Sequence, residues 1–114
     1  RRAPREDGRA ERAEVDRVAE TPGEFALAQS YPNPFNGSTI IRFALPRTQD
    51  VDLAVFNTAG QRVITLVRGP RPAGEYSARW DGRDGDGHAL GSGVFLYRLQ
   101  TGGHVEAHKL LLLH

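Results

Sequence analysis

Cysteine and methionine are both absent from the 114 residues, and neither sign of charge is in excess, with 15 Lys and Arg against 14 Asp and Glu. The lack of cysteine excludes disulfide scaffolds, thiolate metal sites and cysteine nucleophiles. Near-neutral charge argues against nucleic acid as the main partner, because phosphate binding needs a clear excess of basic side chains. The longest apolar runs, among them residues 110–113, have four residues, far fewer than the roughly 20 residues of a membrane-spanning helix.

The start of the chain differs in composition from the rest. It begins with Arg1 rather than Met, which predicts a piece of a longer protein or a processed one. Residues 1–20 hold six Arg and six Asp or Glu, with only two Val as large apolar residues. Such a segment has too little apolar area to offset an ordering cost of about 1–2 kcal/mol per residue. We therefore predict that residues 1–23 are a charged linker, disordered or weakly helical.

From residue 24 onward, short apolar segments alternate with clusters of Gly, Pro, Asn and Asp. Apolar and polar residues alternate with a period of two, typical of half-buried strands, in residues 38–45, 51–57, 74–80 and 94–101. Three less regular segments are residues 25–29, 62–68 and 104–113. The connections are too short for parallel crossovers. The sequence therefore predicts that residues 24–114 form an all-β, immunoglobulin-like antiparallel sandwich of about seven strands.

Three carboxylates, those of Asp81, Asp84 and Asp86, lie close together in the sequence and invite a calcium interpretation. The EF-hand spacing fails, because counting from Asp84 places His88 at the fifth position and Phe95 at the twelfth. Asp and Gly side by side also favour Asx turns, so a structured turn is the favoured interpretation. An irregular calcium site at the three aspartates stays open, and no other metal and no cofactor is expected.

No catalytic set emerges from the remaining polar residues. Ser92 lacks the Gly-x-Ser-x-Gly spacing of a nucleophile elbow. His104 and His108 lie on a predicted strand, where a separation of four residues spans roughly 13 Å, too far to share one metal. We therefore predict that the protein is not an enzyme.

Two segments suggest recognition. Residues 31–36 contain Pro32 and Pro34, each of which fixes the backbone and removes an N–H donor. Such a segment cannot pair as a central strand, so it is either a stiff corner whose Tyr31 and Phe35 cover one end of the sandwich, or a recognition element. The other segment is Lys109 followed by four Leu, which is either a closing strand or an address read by another protein.

In order and placement, these segments resemble the type IX secretion C-terminal sorting domain (type A). Pro32-Asn33-Pro34 followed by residues 38–43 is similar to its opening block. Two further blocks are matched by residues 51–63, including Gly60, and by residues 74–99, including Gly93. Lys109, with Leu110 and Leu111, matches the basic residue and apolar finish near its end. Trp-Asp-Gly at residues 80–82 is also similar to the immunoglobulin-like domain of flagellar hook-capping proteins, which shares the fold.

The resemblance implies that residues 24–114 are a non-catalytic sorting signal of a larger exported protein. Its implied partners are an upstream cargo domain in the same chain, the outer-membrane translocon that recognises the tail, and a cell-surface sortase that cleaves near residues 20–23. The implied route passes through the periplasm to the cell surface or the medium. The alternative is an immunoglobulin-like structural module, or a carbohydrate-binding one that uses Tyr31, Phe35 or Trp80 if they are exposed.

Overall fold

The computed structural model describes the backbone of residues 15–19 and all of residues 25–113. These residues form eight strands: β1 (Val15–Ala19), β2 (Ala26–Leu27), β3 (Thr39–Leu45), β4 (Gln49–Phe56), β5 (Arg62–Arg71), β6 (Gly74–Trp80), β7 (Gly93–Thr101) and β8 (Val105–Leu112). The described part of the chain contains no helix able to cross a membrane.

The strands form two four-stranded sheets with the orders β1-β6-β3-β2 and β5-β4-β7-β8. All neighbouring strands in both sheets are antiparallel. The two sheets enclose one core, as in immunoglobulin-like sandwiches. The predicted all-β, immunoglobulin-like sandwich is therefore confirmed.

Alternation of side chains along the strands decides which residues enter the core. On β7, Phe95, Tyr97 and Leu99 are buried, whereas Leu96 lies on the outer face between them. The same rule holds on β3, β4 and β6, because successive side chains of a strand point to opposite faces of its sheet. The largest fully buried side chains include Trp80, Tyr97, Phe35, Ile41, Leu45, Leu53, Leu66, Leu99, Leu110 and Leu112.

The structure differs from the sequence expectation at residues 15–19, which were expected to belong to the linker. They form β1, which pairs antiparallel with β6 at the edge of the first sheet. An edge strand takes its backbone hydrogen bonds from its neighbour, so a charged segment can pair there without a continuous apolar face. The rest of the predicted linker, residues 1–14 and 20–23, lies outside the described residues.

Glycines form the hairpin turns on either side of the second sheet's central strands. Gly60, in the turn between β4 and β5, has a φ of 85°, a left-handed conformation that glycine adopts at little cost. Gly102 and Gly103 form the β7–β8 turn, which is closed by the N–H of Thr101 donating to the carbonyl of His104 at 2.8 Å. This last turn returns the chain as β8, the outer strand of its sheet.

Candidate functional site

The proline corner, residues 31–35, connects the first sheet to the outer edge of β8. At one end, Tyr31 pairs with Ile40 of β3 through two backbone hydrogen bonds of 2.9 and 3.0 Å. At the other end, the N–H of Phe35 donates to Leu111 O and the N–H of Leu113 donates to Phe35 O, each at 2.9 Å. The peptide bonds before Pro32 and Pro34 are cis. The corner thus joins the two sheets and adds one residue of parallel pairing to β8.

The side chain of Asn33 extends this pairing along the same edge. Its Oδ1 accepts the N–H of Leu111 at 2.9 Å, and its Nδ2 donates to the carbonyl of Lys109 at 3.3 Å. Gln29 Nε2 donates to that carbonyl as well, at 3.1 Å. An amide side chain carries both a donor and an acceptor, so it can satisfy a strand edge much as a neighbouring backbone would. The edge of β8 is therefore occupied from the Lys109 carbonyl to Leu113.

Phe35 fixes the corner in the core. Its side chain is only 2% exposed, and its ring lies 5.5 Å from the ring of Trp80, centroid to centroid. Trp80 packs edge-on against Phe95 and donates from its indole N–H to Arg83 O at 2.9 Å. Of the three aromatic residues considered for carbohydrate binding, Phe35 and Trp80 are therefore structural, and Tyr31 alone is exposed, at 79%.

A shallow groove of about 270 Å³ lies where the proline corner meets β8. Its lining consists of Asn33, Pro34, Val94, Lys109, Leu110 and Leu111. Five residues of the two predicted recognition segments thus come together at this edge: Asn33, Pro34, Lys109, Leu110 and Leu111. The carbonyl of Pro32 instead accepts the hydroxyl of Thr39 on β3, at 2.8 Å. Leu110 points into the core and is 1% exposed, so Lys109 and Leu111 present this part of β8 to the outside.

The two glycines of the predicted sorting motif lie apart from the groove. Gly93 begins β7 directly opposite Leu112, next to the corner. Gly60 lies in the β4–β5 turn, on the side of the sheet away from β8. Sequence order alone did not indicate this division of the motif.

Tyr97 holds the segment that precedes the corner, a role that the sequence did not reveal. Its hydroxyl donates to Ala28 O at 2.7 Å and accepts the N–H of Ser30 at 2.8 Å. Burial of the ring raises the pKa of Tyr97 above its usual range, although the hydrogen bond from Ser30 opposes this shift. The only sequence signal was that Tyr97 occupies an inward position of a period-two strand.

The acidic turn, residues 84–88, is stabilised mainly by Asp84. Its Oδ1 accepts the N–H groups of Asp86 and His88 at 2.9 and 3.0 Å. These bonds, above all that from His88, hold the pKa of the Asp84 carboxyl below its usual range. Ligand atoms of Asp84, Asp86 and His88 lie within 4.8 Å of one another, whereas Asp81 bonds with Arg83. The arrangement is that of the Asx turn favoured by the sequence, with His88 rather than Asp81 as the third member of the cluster.

The two histidines of the last hairpin have separate partners. The ring of His104 packs against that of Phe25 at a centroid distance of 3.8 Å. His108 Nε2 lies 2.9 Å from Glu106 Oε2 and 3.1 Å from Leu27 O. They serve packing and hydrogen bonding in different places rather than one common site.

A charged cluster lies on the outer face of the second sheet. Arg62 donates to both oxygens of Asp52, at 2.9 and 3.1 Å, and this bidentate bond holds the pKa of Asp52 below its usual range. The guanidinium groups of Arg62 and Arg98 lie 5.2 and 4.6 Å from the ring centroid of Phe56. Arg68 approaches Asp52 at 3.7 Å, so the Asp52 carboxylate forms salt bridges with two arginines.

Comparison with solved structures shows similar folds at low sequence identity. Latent PorU from Porphyromonas gingivalis matches with a TM-score of 0.60 and 18% identity over 89% of this chain. PorZ from the same organism matches with a TM-score of 0.53 and 16% identity over 79% of this chain. The chain spans only 9% of PorU and 11% of PorZ.

FlgD from Pseudomonas aeruginosa matches with a TM-score of 0.51 and 20% identity, over 80% of this chain and 74% of FlgD. Among curated proteins, no sequence matches the chain. The family model that describes the FlgD Ig-like domain matches residues 29–103, which include every strand from β3 to β7. Since that match covers well over half of the sequence, the chain belongs to the FlgD Ig-like domain family.

Proposed function

We propose that this chain is a non-catalytic immunoglobulin-like module that acts as a sorting signal for type IX secretion. The observation that carries the proposal is the convergence of Asn33 and Pro34 with Lys109 and Leu111 on one edge, although Asn33 and Lys109 are 76 positions apart. These are segments that the sorting-domain resemblance singles out. PorZ, described as an essential bacterial surface component of the type-IX secretion system, lends further support through its similar fold.

In this proposal, the outer-membrane translocon reads the folded edge of β8. Lys109 supplies a positive charge on the outer face, and Leu111 with Pro34 supplies the apolar wall of the groove. Leu110 acts from the core, because its side chain is fully buried and is reached only by unfolding. Recognition of this kind leads through the periplasm to the cell surface or medium, with a sortase then removing the tail near residues 20–23.

Point variants test this proposal better than a truncation. Deleting residues 109–114 removes Leu110 and Leu112 from the core and the pairing partners of Phe35, so it tests folding as well as recognition. The point variants are therefore made in a reporter that is fused ahead of residues 1–114 and expressed in a bacterium with type IX secretion. We expect Lys109→Ala to leave the reporter in the periplasm, because it removes the exposed charge without touching the core.

The matched control is Arg79→Ala, which removes an exposed positive charge from β6 on the other sheet. We expect this variant to be exported like the wild type. Cell fractionation with protease accessibility of the reporter measures both outcomes. Export of Lys109→Ala at the wild-type level, or export that persists in a strain without the translocon, contradicts the sorting function.

The second candidate function is that of a structural module within a hook-capping or other secreted protein, and the family match supports it equally. Its carbohydrate-binding form retains Tyr31 alone of the aromatic residues that were considered. A glycan array probed with the wild type and with Tyr31→Ala tests that form. Saturable binding that Tyr31→Ala abolishes would favour it, whereas type IX export dependent on Lys109 would favour sorting.

A further inference from the structure

Within the part of the chain that the structure describes, groups bonded to the outer edge of β8 cover only half of its length. The bonds from the corner reach the backbone of Lys109, Leu111 and Leu113, which shows that odd-numbered residues of β8 direct their N–H and C=O groups away from β7. Because this direction alternates along an antiparallel strand, Val105 and Ala107 point the same way. Among the described residues, no backbone or side-chain group bonds to these outward groups of Val105 and Ala107.

The outer face beside this open edge combines apolar and positive side chains. Val94, Leu96 and Val105 are 41%, 37% and 58% exposed, and they share the face with Arg98 and Lys109. Throughout β7 and β8, both fully described, the outer face carries no carboxylate. Glu106, the one acidic residue of these two strands, lies on the opposite face of the sheet and bonds with His108.

The two positive groups of this face differ in their distance from the open edge. Lys109 is on β8 itself, opposite Leu96, and is exposed. Arg98 lies opposite Ala107, but its guanidinium is directed toward β4, where it lies 4.6 Å from the ring centroid of Phe56. The acidic residue nearest to Arg98 across the sheet, Asp52 on β4, already pairs with Arg62. Charge complementarity therefore favours a partner that brings its own carboxylates.

We propose that residues 105–109 of β8 accept an extended acidic segment of a partner protein as an added strand. The backbone of that segment pairs with the outward N–H and C=O groups of Val105 and Ala107. Its acidic side chains approach Lys109, and an apolar neighbour covers Val105. This goes beyond the proposed function, since it concerns a docking mode that either a sorting module or a structural module can use.

The open backbone distinguishes a peptide from an anionic lipid surface, the other partner that apolar and basic side chains would suit. Inserting this face into a bilayer would bury the free N–H and C=O groups of Val105 and Ala107 without partners, which costs several kcal/mol for each group in hydrocarbon. An extended peptide instead supplies the missing donors and acceptors. The backbone thus favours the peptide.

The test uses the full 114-residue chain and a short fluorescein-labelled peptide in which Val alternates with Glu. Fluorescence anisotropy is expected to show saturable binding that weakens as salt rises, because the exposed charge of Lys109 is screened by salt. A peptide with Lys in place of every Glu is expected not to bind. Vesicles that contain phosphatidylglycerol are expected to bind the protein no better than neutral phosphatidylcholine vesicles.

Ala107→Pro tests the edge itself. Proline removes the outward N–H, which β7 does not use, and blocks strand addition, so affinity for the acidic peptide is expected to fall on the order of tenfold or more. Ala107→Val keeps the N–H and is expected to bind nearly as the wild type does. Circular dichroism and the midpoint of urea unfolding establish that both variants are folded.

A third variant separates the contribution of charge to peptide binding from that of the backbone. Lys109→Glu is expected to weaken binding of the acidic peptide and to permit binding of the basic one. Equal binding of acidic and basic peptides, unchanged binding by folded Ala107→Pro, or binding to anionic vesicles but to neither peptide would each overturn the proposal. If Ala107→Pro does not fold, the change in Lys109→Glu from binding the acidic peptide to binding the basic one decides whether the proposal holds.

Discussion

The proline corner and the acidic turn look alike in the sequence, since both are short and rich in residues that interrupt strands, yet they are built from different contacts. Asn33 and Gln29 of the corner region bond to residues 76 to 80 positions away. The side chain of Asp84 bonds two and four positions away, and the N–H of Gly85 donates to the carbonyl of Val63 on β5. The corner is a joint between sheets, whereas the turn is a locally folded loop.

This difference determines how far damage to each segment should spread. Loss of a contact in the corner frees the edge of β8 and reaches the core through Phe35 and Leu112. Loss of a contact in the acidic turn leaves both sheets paired. Four substitutions separate the two cases.

Phe35→Ala is expected to have the largest effect. The ring is buried against Trp80, and its removal leaves a cavity where the corner meets the core, which costs about 3–5 kcal/mol of unfolding free energy. Urea denaturation measures the loss. The control is Tyr31→Ala, an exposed aromatic residue of the same corner, which should stay within about 0.5 kcal/mol of the wild type. Equal losses for the two variants would contradict the assignment of Phe35 as the anchor.

Tyr97→Phe is expected to come second. It leaves Ala28 O and the N–H of Ser30 without the hydroxyl and should cost about 1–3 kcal/mol. The pKa of Tyr97 is raised in the folded protein. The stability that its hydroxyl provides is therefore complete below the ordinary tyrosine pKa of about 10, and it is lost as pH rises through the folded pKa. Urea unfolding should therefore show that the unfolding free energy of the wild type declines from neutral to alkaline pH. The decline should be smaller in Tyr97→Phe.

Asn33→Ala is expected to cost about 1 kcal/mol, because the lost bonds to Lys109 and Leu111 lie near the surface, where water can replace them. Amide hydrogen exchange should be faster at Leu111, the residue whose N–H bonds to Asn33. Asn36→Ala, just beyond the corner, is the matched control. Unchanged exchange at Leu111 would show that Asn33 does not hold this edge.

Asp84→Ala is expected to have the smallest effect on global unfolding, since its bonds are local and exposed. Because the folded pKa of Asp84 is lowered, its bonds persist above the ordinary carboxyl value of about 3.9 and are lost as pH falls through the lowered value. Carboxyl chemical shifts measured by NMR across acid pH would follow this titration. A large drop in the unfolding midpoint of Asp84→Ala would remove the contrast with the corner.

Much of the sandwich was predictable, because apolar and polar residues alternate along a half-buried strand and so show which side chains face the core. The alternation in residues 94–101 sets Phe95, Tyr97 and Leu99 on one face, and this is the face that enters the core. The rule also explains the final leucines, since Leu110 and Leu112 enter the core whereas Leu111 lies on the outer face. Turn glycines such as Gly60 were predictable because few other residues adopt a positive φ.

The candidate site was only half predictable from the sequence. The two recognition segments were singled out, but nothing periodic links Asn33 to Lys109 across 76 positions, so their contact remained hidden. Trp80 was considered as an exposed platform, because an inward position near a strand end does not reveal what covers it. β1 was missed since edge pairing depends on the backbone of β6 more than on apolar side chains.

The pairing of Phe35 with β8 also sets an order of events for the growing chain. Until residues 111–113 have been synthesised, Phe35 has neither of its backbone partners on β8, and the edge that Asn33 caps does not exist. The joint must therefore close after most of the sandwich has left the ribosome, with the entropy of a long loop still to be overcome. A chain held open before that moment would expose an aromatic ring and an unpaired edge, the features by which chaperones recognise unfinished proteins.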